Sequence, residues 1–150
     1  MRYIESLKEK MGNDPLLAVR TSLVILDKKG HILLKKGRDG MWSLPVSFME
    51  LDETAEEAGR RAVKEETGID IGELSLLGIF SGKKHFQEMS NDDQLYPLTI
   101  NYCTTDILTP LPLEEWDESF RVEFFAIDQL PSSVNLHTKK VIHHYGASFY

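Results

Sequence analysis

Residues 47–69, SFMELDETAEEAGRRAVKEETGI, decide how the rest of the chain is read. The stretch opens in an acidic loop, Glu50-Leu51-Asp52-Glu53, and then turns helical. Thr54-Ala55-Glu56-Glu57 has the form of a capping box: the Thr54 hydroxyl accepts from the Glu57 amide, and the Glu57 carboxylate reaches back. From there to Thr67 only Gly59 works against a helix, at a cost of about 1 kcal/mol relative to alanine. Gly68 stands where a left-handed C-terminal cap is wanted. Spacings of three and four link Ala58, Ala62, Glu65 and Glu66, which puts them on one side of the helix. Arg61 lies one turn before Glu65 and is placed to pair with it. Adjacent carboxylates repel and resist joint burial. A hard cation compensates them well, because magnesium takes oxygen ligands and is commonly held by one or two carboxylates plus substrate phosphates. The competing reading is a solvated amphipathic helix rich in glutamate, and it is the default for Glu56, Glu57 and Lys64.

Composition narrows the field. A chain of 150 residues with 41% hydrophobic content buries one sizeable core, so a single domain over 1–150 is expected. A net charge of -7 and a pI of about 5.2 argue against a partner that is a nucleic-acid polymer. They do not argue against a small phosphate-bearing molecule, since a bound cation inverts the local field. The one cysteine, Cys103, lies in an apolar run and reads as a small buried hydrophobe. Residues 1–11 are too charged for a signal peptide, and no apolar run approaches membrane-spanning length. A cytoplasmic protein without a membrane partner is expected.

Along the chain, Ile4, Leu7 and Met11 at helical spacing predict a helix over Tyr3–Met11, stopped by Gly12-Asn13-Asp14-Pro15. Ala18–Leu26 reads as a buried strand, Asp27–Gly30 as a hairpin turn and His31–Lys36 as the returning strand. Leu74–Ser81 is a further strand, and residues 82–95 are a polar loop. Residues 97–107 alternate around Leu98, Ile100, Tyr102 and Thr104, which predicts another strand. Residues 108–119 form an acidic, proline-containing loop. Phe120–Ile127 predicts a last strand and Leu136–Phe149 a closing helix. The order gives an α/β protein with a mixed β-sheet flanked by helices.

The spacing Glu53, Arg61, Glu65-Glu66, Gly68-Ile69 resembles the Nudix box, G-x5-E-x7-R-E-U-x-E-E-x-G-U with U aliphatic. The resemblance extends further. Val24–Asp27 with Gly30–Leu34 is similar to the family's opening hairpin, Trp42-Ser43-Leu44-Pro45 to its W-x-L-P lead-in, and Glu123–Pro131 to its late strand and turn. It implies a Nudix α/β/α sandwich and, more specifically, a protein similar to ADP-ribose pyrophosphatases. The implied reaction is hydrolysis of a phosphoanhydride in a nucleoside diphosphate linked to another group. ADP-ribose or a nucleotide sugar is favoured over a nucleoside triphosphate.

Position by position, the resemblance makes Glu65 and Glu66 the first metal ligands, with Mg2+ expected and Mn2+ as the alternative. Glu53 matches the loop glutamate that supports the metal shell or the helix. Arg61 matches the arginine that orients the glutamates. Two departures bear on activity. Ala62 stands where the box has a glutamate, and Val46-Ser47 stand where the family has glycines, which implies weaker cation binding and an altered phosphate site. A further glutamate from a late loop often serves as ligand or base in the family, which points to Glu118 and then Glu115. Trp42, Phe86 and Tyr96 are candidates to stack on a base, with core packing the competing reading. His143 and His144 point about 100° apart on a helix and do not share a metal. The partner expected is a small nucleotide substrate, with a homodimer open. The second functional class is a Nudix-fold binding or regulatory module that has lost efficient chemistry.

Overall fold

The computed structural model describes residues 3–12, 14–82, 95–110 and 121–149. Its elements are α1 (Tyr3–Met11), β1 (Leu16–Ile25), β2 (Ile32–Lys36), β3 (Trp42–Ser43), β4 (Val46–Phe48), α2 (Ala55–Thr67), β5 (Ser75–Phe80), β6 (Leu95–Thr104), β7 (Arg121–Phe125) and α3 (Leu136–Tyr145). Short 3-10 turns follow β7 and α3. Among the described residues no helix is long and apolar enough to cross a membrane.

A four-stranded sheet runs β4-β1-β6-β5, and a three-stranded sheet runs β3-β2-β7. The larger sheet is mixed: β1 and β6 pair in parallel from Leu16↔Leu95 to Ile25↔Thr104, while β4 and β5 add antiparallel edges. Alternation along β1 sends Leu23 and Ile25 to one face and Val24 to the other. Leu23 and Ile25 pack with Val63 and Ile69 at α2. Val24 packs with Val141 of α3, together with Leu34, Trp42 and Leu44. The helices therefore cover opposite faces of the mixed sheet, the α/β layering expected from the element order. At the N-terminal end of the α3-side face, Leu16, Ala18 and Leu95 receive Ile4 and Leu7 of α1.

Three local expectations change. The turn at Asp27–Gly30 forms, with Gly30 at φ 77° and its amide on Asp27 O at 3.0 Å. However, β1 and β2 share only the Leu26↔Ile32 bridge before diverging into separate sheets, so the opening hairpin is a corner and not a ladder. The strand predicted over 97–107 is shifted to Leu95–Thr104. Along it the parity opposite to Leu98 and Ile100 is the more buried, and it carries Thr99 and Asn101 with no exposure. Those two lie beside Arg20 and Ser22 of β1, and Arg20 Nε donates to Thr99 Oγ1 at 2.7 Å. The apolar pattern of β6 thus reports the α2 side, while a polar row fills the other. Finally, α3 ends at Tyr145 and continues only as a 3-10 turn over Gly146–Phe149.

Helix α2 sits close to the sheet. A Cβ on Gly59 would fall 2.8 Å from Leu23 Cδ2, so the glycine that weakens the helix also permits its approach to β1.

Candidate active site

Local sequence fixes both ends of α2. Thr54 Oγ1 accepts from the Glu57 amide at 3.1 Å, the first half of the predicted capping box. Gly68 takes the left-handed conformation, φ 77°, and its amide returns to Lys64 O. Between these caps Ala58, Gly59, Ala62 and Val63 are buried against the sheet. The caps set the register of the helix and hence the height at which Glu65 and Glu66 emerge.

The two carboxylates separate. Glu65 is 44% exposed and meets Arg61 Nη1 at 3.3 Å, the pairing expected from the spacing. Glu66 turns inward, 21% exposed, and its Oε1 is bonded to the Lys35 ammonium from the end of β2. Its Oε2 is buried with no hydrogen-bond partner. Burial pushes the Glu66 carboxyl above the ordinary carboxylate range, and Lys35 and the Val46 amide oppose the shift without cancelling it. One side of the helix was expected to carry both glutamates; the structure sends only Glu66 inward.

Glu53 and Arg61 form the other half of the site. Arg61 Nε and Nη2 contact Glu53 Oε2 and Oε1 at 2.6 and 3.0 Å, a two-pronged pair, and Glu53 Oε1 also accepts from the Glu50 amide. The same guanidinium reaches Phe48 O at 3.0 Å and Ser47 Oγ at 3.3 Å. The bond to Glu53 is the main reason the Arg61 pKa is raised, against the opposing effect of burial. Glu53 is thereby committed to tying the acidic loop to α2. Residues 46–48 form strand β4, paired to β1 with Ser47 opposite Thr21, so the two departures from glycine lie in extended backbone.

A cavity of about 320 Å³ opens where β2, β7 and α2 meet, lined by Lys35, Lys36, Arg38, Arg121, Glu65 and Glu66. The sequence reading missed its four cations. Lys35-Lys36 at a strand end is a visible signal, but which carboxylate they meet depends on the docking of α2. Trp42 is core, 8% exposed and edge-on to Phe125 with centroids 5.0 Å apart. His143 and His144 are exposed. Glu118, Glu115, Phe86 and His85 lie outside the described residues.

Whether the carboxylates suit a divalent ion turns on the donors. The orphaned, buried Glu66 Oε2 is what such an ion satisfies, and Glu65 is adjacent in sequence. Yet no three His, Cys, Asp or Glu side chains come together to hold an ion among the described residues. Ala62, where a third carboxylate is expected, is fully buried. The donors fit an ion taken first by Glu66 Oε2, which Glu65 would join only on leaving Arg61, with the remaining positions open to water or phosphate.

A family model described as NUDIX domain matches residues 16–145. The chain belongs to this family. An ADP-ribose pyrophosphatase of Methanocaldococcus jannaschii is 33% identical over 119 residues, covering 77% of this chain and 66% of that protein. A MutT-like protein of Streptomyces ambofaciens is 34% identical over 50% of this chain and 49% of its own length. The chain therefore spans between half and just under two thirds of these NUDIX relatives. Among solved structures, a MutT NUDIX hydrolase from Burkholderia pseudomallei superposes with a TM-score of 0.68 at 22% identity, covering 85% of this chain and 97% of that one. The NUDIX domain of Shewanella oneidensis NrtR, solved with ADP ribose, gives 0.67 at 17% identity over 100% of both chains. These likenesses establish the NUDIX fold.

Proposed function

We propose that the chain, acting as one NUDIX domain, is a divalent-metal-dependent hydrolase of a phosphoanhydride in a nucleoside diphosphate derivative. ADP-ribose or a nucleotide sugar is preferred to a nucleoside triphosphate. The observation that carries this reading is the shared cavity, lined by Glu65 and Glu66 together with Lys35, Lys36, Arg38 and Arg121. Lys36 and Arg121 stand directly opposite each other across β2 and β7. Like charges so placed destabilise a sheet unless an anion lies between or above them. A diphosphate supplies that anion, and the carboxylates supply the place for the cation that accompanies it. The name of the archaeal relative and the ADP ribose held by the NrtR domain favour the same substrate class.

Glu65 and Glu66 would hold the ion, Mg2+ or Mn2+. When bound, it lowers the pKa of a water and offsets charge developing on the diphosphate. Lys36, Arg38 and Arg121 bind and orient the phosphates. Arg61 and Glu53 hold the acidic loop against α2 and position Glu65 through the second guanidinium nitrogen. Glu118 remains the proposed base. The test is a panel of ADP-ribose, nucleotide sugars and nucleoside triphosphates, assayed with Mg2+ and with Mn2+ for AMP or pyrophosphate release. Turnover of ADP-ribose or a nucleotide sugar above the triphosphates is expected. Metal-independent turnover, or none with any substrate, defeats the reading.

The burial of Ala62 favours a second reading, a nucleotide-binding module with impaired chemistry. Calorimetric binding of ADP-ribose at low micromolar affinity without turnover would establish it.

A further inference from the structure

Glu66 has a cationic partner supplied by the chain itself. Its Oε1 takes the Lys35 ammonium, an interaction bridging β2 and α2 across 31 positions of sequence. Lys35 is itself half-buried, 26% exposed, so the pair is shielded from solvent more than an ordinary surface ion pair. The other oxygen is buried and unpartnered. An ammonium donates hydrogen bonds and accepts none, so it cannot join a metal shell as a ligand. It offers only its charge, and that charge repels an incoming cation. The neighbourhood adds to the conflict: two carboxylates share the cavity with four basic side chains. The position that would add a third carboxylate is the fully buried Ala62.

We propose that Lys35 is a built-in competitor for the divalent ion at Glu66: the ion would take Oε2, and the ammonium charge held on Oε1 opposes it until Lys35 moves away. This rests on the metal-site reading above and deepens it. It makes Lys35 a positioning residue with two partners. It compensates Glu66 while the carboxylate lacks a divalent ion, and once displaced it joins Lys36, Arg38 and Arg121 on the phosphate side of the same cavity. The cost of separating a shielded ion pair is subtracted from the ion's affinity. A chain with one carboxylate fewer and one ammonium more than a three-carboxylate site is accordingly a weak metal binder.

The experiment is Mn2+ titration by calorimetry on the full chain, comparing wild type with Lys35→Met, Lys35→Arg and Glu66→Gln. Thermal melts in EDTA and in Mn2+ accompany it. Lys35→Met should tighten Mn2+ binding by about five- to tenfold, which corresponds to about 1–1.4 kcal/mol. Lys35→Arg, which retains the competing charge, should stay within about twofold of wild type. Lys35→Met should also melt lower than wild type in EDTA, where Glu66 is left buried without a counter-charge, and recover more in Mn2+. If the methionine variant is too unstable to titrate, Lys35→Gln gives the same order. Mn2+ affinity that is unchanged or weaker without Lys35, while Glu66→Gln still weakens it, overturns the competition and leaves the metal site standing. Unchanged affinity in Glu66→Gln overturns both.

Discussion

Two carboxylate–cation pairs anchor α2, and they are built in opposite ways. Glu53–Arg61 is saturated: both carboxylate oxygens take guanidinium nitrogens, one also takes the Glu50 amide, and the guanidinium has Ser47 and Phe48 as further acceptors. Glu66–Lys35 is half-made, with one oxygen engaged by an ammonium, the other buried without a hydrogen-bond partner, and the Val46 amide nearby also favouring the charge. A planar fork against a carboxylate fixes geometry, whereas a point charge on a flexible stem fixes little. The saturated pair has no capacity left for a ligand, and the half-made pair retains it. The contrast puts a closed pair and an open one within a few turns of one helix.

The largest expected effect breaks the half-made side. Glu66→Gln should lower turnover by two orders of magnitude or more, roughly the loss that follows when a catalytic carboxylate is removed. Its pH signature is distinctive. Because burial raises the folded-state pKa of Glu66 above its unfolded value, the native state binds the proton more tightly. Its contribution to stability therefore increases as pH falls through the raised value toward the unfolded one, and is lost as pH rises again. Wild type should gain stability relative to Glu66→Gln over that window, and urea melts from neutral pH to about pH 4.3 would measure it. A difference that is flat with pH would mean Glu66 is not buried as a charge.

Breaking the saturated side should cost stability first. Arg61→Ala strands a carboxylate that is 13% exposed and unties the acidic loop, a loss of about 2–3 kcal/mol by denaturant unfolding, somewhat below that for a fully buried pair. Arg61→Lys should recover only part of it, lacking the fork. Next comes Ala62→Glu, which places a charge at a fully buried position. We expect a loss of about 2 kcal/mol in EDTA, from burying a polar group without a partner. Recovery in Mn2+ together with faster turnover would mark Ala62 as the missing ligand position. No recovery would favour the binding module. The smallest effect should come from Thr54→Ala, about 1 kcal/mol from the lost cap, with metal affinity unchanged.

What was legible in the sequence was local. The Thr54 hydroxyl cap, the Gly68 stop and the Arg61–Glu65 spacing are each settled within four residues, and each forms, the capping box by its first half. The order of the longer strands and of the helices follows from periodicity in the same way, while the short strands β3 and β4 were not foreseen. What escaped depends on distant segments meeting. Lys35 is 31 residues from Glu66, and nothing near either one announces the other. The spacing rule placed Glu65 and Glu66 on one side, but residues 100° apart at a helix edge can lie on either side of a boundary that only packing draws. Thr99 and Asn101 were obscured because their apolar neighbours on β6 carry the stronger signal while the polar face is the more buried one.

The close approach at Gly59 carries a consequence for how such a site drifts over evolutionary time. Seven residues separate Gly59 from Glu66, about 10 Å along the helix axis at 1.5 Å per residue. A side chain at position 59 would press on the Cδ2 methyl of Leu23, a core residue with no exposure, so that either Leu23 turns or α2 moves away from β1. Where α2 moves, the gap between Glu66 and the end of β2 would change with it. Position 59 is thus a place where a single methyl would bear on the spacing between α2 and β1 without touching Glu65 or Glu66.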